Sequence, residues 1–219
     1  AFVIGGSGLI GNQVSIALSE FGANVYNLDN KLNLSDQNTK LYKTKKIKFI
    51  NFDCNHKNLT KRYNAIIKKI GSPNIFVNCS YPVTKNWENN NFDKINQYEL
   101  DKNIKLQLSD SSWLAKLTAD AMKKSKRSGV IILMGSIYGH VAQDLNIYKG
   151  IKDMRENMPY TIIKSGISGL TKQMASYYGK YNIRINTISP GGLVGHVKGI
   201  KQKQNIKFLK QYSLKVPLK

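Results

Sequence analysis

Two cysteines and 13 acidic residues are all that 219 positions hold of those types, and each shortage narrows what the chain can be. Cys54 and Cys79 sit in apolar contexts without the close pairing of a metal knuckle, and two cysteines make no disulfide framework in a chain of this length. No metal site is expected, and a reducing, cytoplasmic setting is. Long apolar runs are missing as well. The longest, such as Val130 to Met134, fall far short of the roughly 20 residues a membrane-spanning helix needs, which argues against a bilayer-embedded protein. No stretch rich in Pro, Gly and Ser divides the chain, and no internal repeat appears, so residues 1–219 read as one domain. The sequence opens on an apolar run without an initiator Met, and a leader is neither seen nor excluded.

The scarcity of acids leaves 34 Lys and Arg unbalanced, for a formal net charge of +21. Such a surplus attracts polyanions without regard to their sequence. The lysines, however, are scattered from Lys31 to Lys219 among many Asn and Ile, as biased residue usage over a whole surface would leave them. The densest clusters, Lys40 to Lys48 and Lys198 to Lys219, lack the interleaved aromatics of a base-stacking platform. Nucleic acid is therefore not expected as the primary ligand.

What is present is an alternation of short apolar runs with amphipathic ones. Strands are expected at Ala1 to Ile4, Asn24 to Leu28, Ile47 to Phe52, Asn74 to Val77, Val130 to Met134 and Arg184 to Ile188. Helices are expected at Leu9 to Phe21, from about Tyr98 to Lys124, and at Thr161 to Tyr178. Such alternation predicts an α/β fold, a Rossmann-like doubly wound parallel sheet with helices on both faces. Ligands of such sheets bind beyond the carboxyl ends of the strands. Asp29, Asp53 and Asn78 stand where strands end.

Between the first strand and first helix lie Gly5, Gly6, Ser7, Gly8, Leu9, Ile10 and Gly11. Gly6, Gly8 and Gly11 fit G-x-G-x-x-G, while Gly5, Gly8 and Gly11 fit G-x-x-G-x-x-G. A turn of this kind lets backbone approach a pyrophosphate closely and aims a helix N-terminus at it. Asp29, about 20 residues on, can accept from both adenosine ribose hydroxyls and would repel a 2′-phosphate, which favours NAD over NADP, although the nearby Lys31 could attract a phosphate. Asp53 is a candidate contact to the adenine amino group.

Tyr160 and Lys164 stand one helical turn apart on the same face. A phenol is a poor acid-base at neutral pH, but an adjacent ammonium and an oxidised nicotinamide stabilise its phenolate. Tyr160 can then exchange a proton with a substrate oxygen that Ser136, after the apolar run Val130 to Met134, would orient. Tyr148 and Lys152 share the spacing and lie nearer Ser136. The Tyr160 helix leads into Asn182, Ile183, Arg184, Ile185, Asn186 and then Pro190 and Gly191, the register of the family that the chain resembles, and that resemblance favours Tyr160.

In these motifs the chain resembles the short-chain dehydrogenases/reductases, and the resemblance runs over essentially the whole sequence. It implies an NAD(P)-dependent oxidoreductase acting on a secondary alcohol or ketone, with NAD as cofactor and NADP possible. Gly5, Gly8 and Gly11 match the cofactor turn, Asp29 the acid that selects NAD, Asp53 the adenine contact, and Asn78 the segment after the fourth strand. Ser136, Tyr160 and Lys164 match the catalytic trio, with Lys164 also on the nicotinamide ribose. Pro190 and Gly191 match the turn beside the nicotinamide, where the backbone of Leu193 would meet the carboxamide. Gln107, with Asn103 one turn earlier, falls where many members place an Asn that holds a water in the proton relay.

The chain departs from the pattern in carrying Cys79, Ser80 and Tyr81 after Asn78, and in lacking the threonine often found after Pro-Gly. The spacer from Ser136 to Tyr160 is longer than usual and carries Asn146, Tyr148, Lys149, Lys152, Arg155 and Glu156. This polar, basic lining suits a hydroxylated or anionic substrate. Within the family the chain is most similar in appearance to the flagellin modification protein A type, which implies bacterial sugar or nonulosonic acid biosynthesis for surface glycans. The family's further helix and seventh strand are expected to be missing from the covered chain, and a homo-dimer or homo-tetramer is implied by resemblance alone. Two other readings stay open: a nucleotide-sugar epimerase or dehydratase, from the Gly5, Gly8, Gly11 spacing, and a non-catalytic protein that senses NAD or binds a polyanion.

Overall fold

The apolar runs become six strands: β1 (Phe2–Ile4), β2 (Val25–Asp29), β3 (Ile47–Asn51), β4 (Ile75–Asn78), β5 (Gly129–Met134) and β6 (Ile183–Ile188). They form one parallel sheet in the order β3-β2-β1-β4-β5-β6. All five pairings are parallel, as crossovers between strands of one sheet require. The computed structural model describes residues 1–32, 42, 47–152, 154–193 and 204–217. Most of the lysines of the basic clusters at 40–48 and 198–219 lie outside them.

The helices are α1 (Leu9–Glu20), α2 (Leu59–Ile70), α3 (Gln97–Ile104), α4 (Asp110–Lys124), α5 (Met158–Tyr178) and α6 (Ile206–Ser213). Strand alternation sends Phe2, Ile4, Phe76, Ile131 and Leu133 to one face, where Tyr63 of α2, Leu114 and Met122 of α4 and Ile163 of α5 bury them. Val3 and Val25 point to the other face and pack with Val14 and Leu18 of α1 and with Tyr42. The sheet is therefore wound on both faces. The boundaries match the periodicity within a residue or two, except that α5 starts at Met158 instead of Thr161. Asn157 explains the earlier start: its side chain accepts from the Tyr160 N–H, and Pro159 sits in the first turn. Both are helix-starting devices.

The long amphipathic stretch is not one uniform helix. A π-helical turn at Lys105–Ser109 separates α3 from α4, and Gln107 lies within it. Such turns insert one extra residue per turn and re-aim the side chains around them. An apolar groove of about 500 Å³ runs between Ile10, Val14 and Leu18 of α1 and the strand residues Ile132, Met134 and Ile188. Its walls hold no convergent polar groups, and a small-molecule site needs some. No helix among the described residues is long and apolar enough to cross a membrane, and no cluster of His, Cys, Asp or Glu among them would hold a metal ion.

Candidate active site

The glycine turn is built by close approaches that no side chain permits. A Cβ on Gly11 would stand 2.2 Å from the Gly5 carbonyl oxygen, and one on Gly5 would stand 2.7 Å from the Ser80 backbone. Gly5 also holds φ at +69°, a left-handed conformation that favours glycine. Gly6 lies against the Asn27 side chain, where a Cβ would meet Oδ1 at 2.2 Å. Gly8 is looser, its nearest contact at 3.3 Å. It caps α1 without any side-chain hydrogen bond, so the first-turn N–H groups at Leu9 and Ile10 face outward from a bare helix end. Beside them the Ser7 hydroxyl is buried with no hydrogen-bond partner. An anionic group seated on this turn would satisfy donors that the protein leaves open.

Asp29, at the end of β2, accepts from the Ser7 N–H at 3.0 Å and the Asn30 N–H at 2.8 Å. Its carboxylate is thereby pinned to the rim of the turn. Asp53, beyond β3, accepts from the Asn55 N–H at 2.9 Å. Asn78 closes β4: its Nδ2 donates to Ser111 at 2.7 Å, and its Oδ1 accepts from the Ser80 N–H and hydroxyl. These polar side chains share the carboxyl edge of the sheet with Ser136, two residues past β5.

Lys164 is buried, at 7% exposure. Its Nζ donates to the Met134 carbonyl at 2.8 Å and stands 5.6 Å from the ring centroids of both Tyr160 and Tyr81. Burial lowers its pKa to about 8, because a desolvated ammonium is disfavoured. Burial likewise raises the Tyr160 phenol, a hydrogen bond with Ser136 opposing the shift. The three side chains are thus brought together, as the sequence order suggested. Lys164, however, is tied to the strand carbonyl, and in this state burial outweighs any help it gives the phenolate.

Gln107 is buried at 5% exposure, and both atoms of its amide lack a partner. Asn103 is spent elsewhere: it accepts from the Thr84 N–H and donates to the Thr84 hydroxyl and the Glu99 carbonyl. Pro190, Gly191 and Leu193 follow β6. The neighbouring Gly192 N–H donates to the Tyr212 hydroxyl at 2.6 Å, so α6 lies over this turn.

The spacer between Ser136 and Tyr160 departs from the basic lining expected of it. Arg155 is turned to Asp93, at 2.9 Å, and to Glu156, at 3.2 Å. Asn146 folds back on Asp144, and the Lys149 and Gly150 carbonyls accept from Gln211 and Lys207 of α6. Tyr148 donates to Gln143 and stacks on Phe208, and Lys152 is exposed. Tyr148 therefore serves to dock α6. Sequence reasoning passed over what stands around Tyr160 instead: Tyr81, Trp87 and Tyr138 each meet its ring. Only Tyr81, at the departure after Asn78, carried any signal. Asn157 was missed too, although it caps α5 through Tyr160 and donates to the Trp87 carbonyl at 2.9 Å.

A sequence profile described as short chain dehydrogenase matches residues 1–205. Among curated proteins, the post-translational flagellin modification protein A of Campylobacter coli is 30% identical over 125 residues, which are 57% of this chain and 48% of that protein. The NADH-dependent L-xylulose reductase of Ambrosiozyma monospora is 28% identical over 96 residues, 43% of this chain and 32% of that one. The chain thus spans about half or less of the length of these relatives. A solved short chain dehydrogenase of Leptospira borgpetersenii serovar Hardjo-bovis, with bound NAD+, superposes with a TM-score of 0.81 at 28% identity, covering 99% of this chain and 77% of that one. The chain belongs to the short chain dehydrogenase family.

Proposed function

We propose that this short chain dehydrogenase interconverts a secondary alcohol and a ketone on a sugar or sugar derivative, with NAD preferred over NADP. The observation that carries the reading is the convergence of Ser136, Tyr160 and Lys164 at the sheet edge that also bears the glycine turn. The open Ser7 hydroxyl and the uncapped end of α1 fit a pyrophosphate, and the pinned Asp29 fits a ribose diol better than a 2′-phosphate. Asp53 is assigned to the adenine. Asn78, Pro190, Gly191 and Leu193 are assigned to the nicotinamide end. When bound, the cofactor supplies the hydride donor or acceptor, and in its oxidised form a positive charge that favours the phenolate.

In reduction Tyr160 gives its proton to the substrate oxygen, which Ser136 holds by hydrogen bonding. In oxidation Tyr160 takes that proton back. Lys164 stands behind the phenol, anchored by the Met134 carbonyl, and also reaches for the nicotinamide ribose. The unpartnered amide of Gln107 holds a water that carries the proton on from Lys164. A sugar substrate is supported by relatives whose names concern L-xylulose and D-arabinitol. A role in building surface glycans is supported by the flagellin modification relative.

The test is titration with NADH and NADPH by fluorescence, followed by turnover on a panel of sugars, sugar phosphates and nucleotide sugars. Tighter NADH binding with turnover is expected. Tyr160→Phe should abolish turnover and leave NADH affinity unchanged; turnover retained in that variant would overturn the mechanism.

A further inference from the structure

The ring of Tyr160 is walled by other rings. Tyr81 and Trp87, on the segment between β4 and α3, and Tyr138, just past β5, meet it edge to face at centroid distances of 6.1, 6.3 and 6.3 Å. Tyr81 and Trp87 also meet each other at 5.7 Å and 88°. Tyr81 nevertheless keeps 38% of its surface exposed, so the wall has area left for a ligand.

This wall is held in place before any substrate arrives. The Trp87 carbonyl accepts from Asn157, and Thr84 donates to the buried Glu99 at 2.5 Å. Arg155 is paired with Asp93 and Glu156, and among the described residues the cation at these rings is Lys164, 5.6 Å from the Tyr81 and Tyr160 centroids and bonded to the Met134 carbonyl.

We propose that Trp87, Tyr81 and Tyr138 form the specificity wall of the substrate site and select an uncharged ring, a pyranose-like cyclic polyol, over open-chain polyols and ring phosphates. The selection rests on the oxidoreductase reading above and narrows its substrate. A saturated sugar ring gathers its C–H bonds into contiguous apolar patches of a size that an aromatic ring covers, with its hydroxyls pointing outward. An open-chain polyol scatters hydroxyls around a flexible backbone and loses rotamer freedom when bound. A phosphate set against the rings would lose water, while the cation that meets them, Lys164, is already bonded to the Met134 carbonyl, a costly exchange.

Two measurements test this. In the full-length protein, Trp87→Leu should lower kcat/KM for methyl glucopyranoside by roughly five- to tenfold, the range expected of an aromatic contact. The loss should fall mainly in KM, with the value for arabinitol nearly unchanged and Trp87→Phe restoring most of the loss. The Trp87 carbonyl that Asn157 holds is backbone, so the segment keeps its anchor in both variants. The second readout needs no turnover. The chain has two tryptophans, and Trp113, which bonds Thr60 between α2 and α4, can be replaced. In Trp113→Phe with NADH present, Trp87 fluorescence should change saturably with methyl glucopyranoside and not with arabinitol or glucose 6-phosphate. An equal response to all three, or none to the pyranoside, would overturn the wall. Saturable pyranoside binding without turnover of any alcohol would instead sink the oxidoreductase reading and leave the wall standing.

Discussion

Lys164 makes the free protein less stable than it would be without a buried ammonium, and the cost depends on pH in a way that can be isolated. Its pKa falls from 10.5 in the unfolded chain to about 8 in the fold, so between those values the unfolded state binds the extra proton. Stability must therefore rise with pH through this window, and the penalty is largest below pH 8. With these two values the penalty is about 3 kcal/mol at pH 7 and about 2 kcal/mol at pH 9, a gain of about 1 kcal/mol on raising the pH. Lys164→Met removes the titration. It also strips the Met134 carbonyl of its donor, but that loss is the same at both pH values and drops out of the comparison.

Cys54 and Cys79, whose thiols burial pushes up to about 11 and about 12, act in the opposite sense and are present in both proteins. The assay is urea unfolding of wild type and Lys164→Met without cofactor at pH 7 and pH 9. Wild type should gain about 1 kcal/mol more than the variant between the two. Equal pH dependence in the two proteins would refute the burial argument, whatever happens to turnover.

Gly11→Ala places a Cβ 2.2 Å from the Gly5 carbonyl, whereas Gly8→Ala meets nothing nearer than 3.3 Å. The first should cost about 1–3 kcal/mol and most NADH affinity, and the second little stability, as urea unfolding and NADH titration will read. Asp29→Ala should move the ratio of NADPH to NADH affinity toward NADPH by about tenfold or more, because a carboxylate facing a phosphate costs several kcal/mol; an unchanged ratio would remove Asp29 from cofactor choice. Asn157→Ala should cost about 1 kcal/mol through the lost cap of α5. Asn157→Asp keeps the cap but not the bond to the Trp87 carbonyl, so it should recover the stability while substrate KM stays raised.

Much of this protein is local in origin, and the local part was legible. Short β-branched runs such as Ile131 to Leu133 alternate with helical stripes such as Ile163 and Ile167, which allows only a parallel, doubly wound sheet. Chain order puts Gly5, Asp29, Asn78 and Ser136 at strand ends, and parallel strands bring all their carboxyl ends to one edge. The four-residue step from Tyr160 to Lys164 puts both on one helix face whatever surrounds them. The reach of α5 was misjudged because its start depends on the Asn157 side chain, and the π-helical turn carrying Gln107 leaves no mark on hydrophobic period.

Tertiary structure decided the rest, and above all what faces the Tyr160 phenol. Arg155 read as lining and is instead spent on Asp93, 62 positions earlier. Trp87 and Tyr138 looked like unremarked loop residues until the segment after β4 was pinned by Glu99 and Asn157 against α5. The charge states are also tertiary, since a lysine's pKa falls only when distant segments fold over it and exclude water. Sequence by itself determined the sheet, the glycine turn and the one-turn step from Tyr160 to Lys164, because each depends on neighbours a few positions away. The aromatic wall around Tyr160 and the electrostatics of Tyr160 and Lys164 depend on segments far apart in the chain, and only their meeting in space creates them.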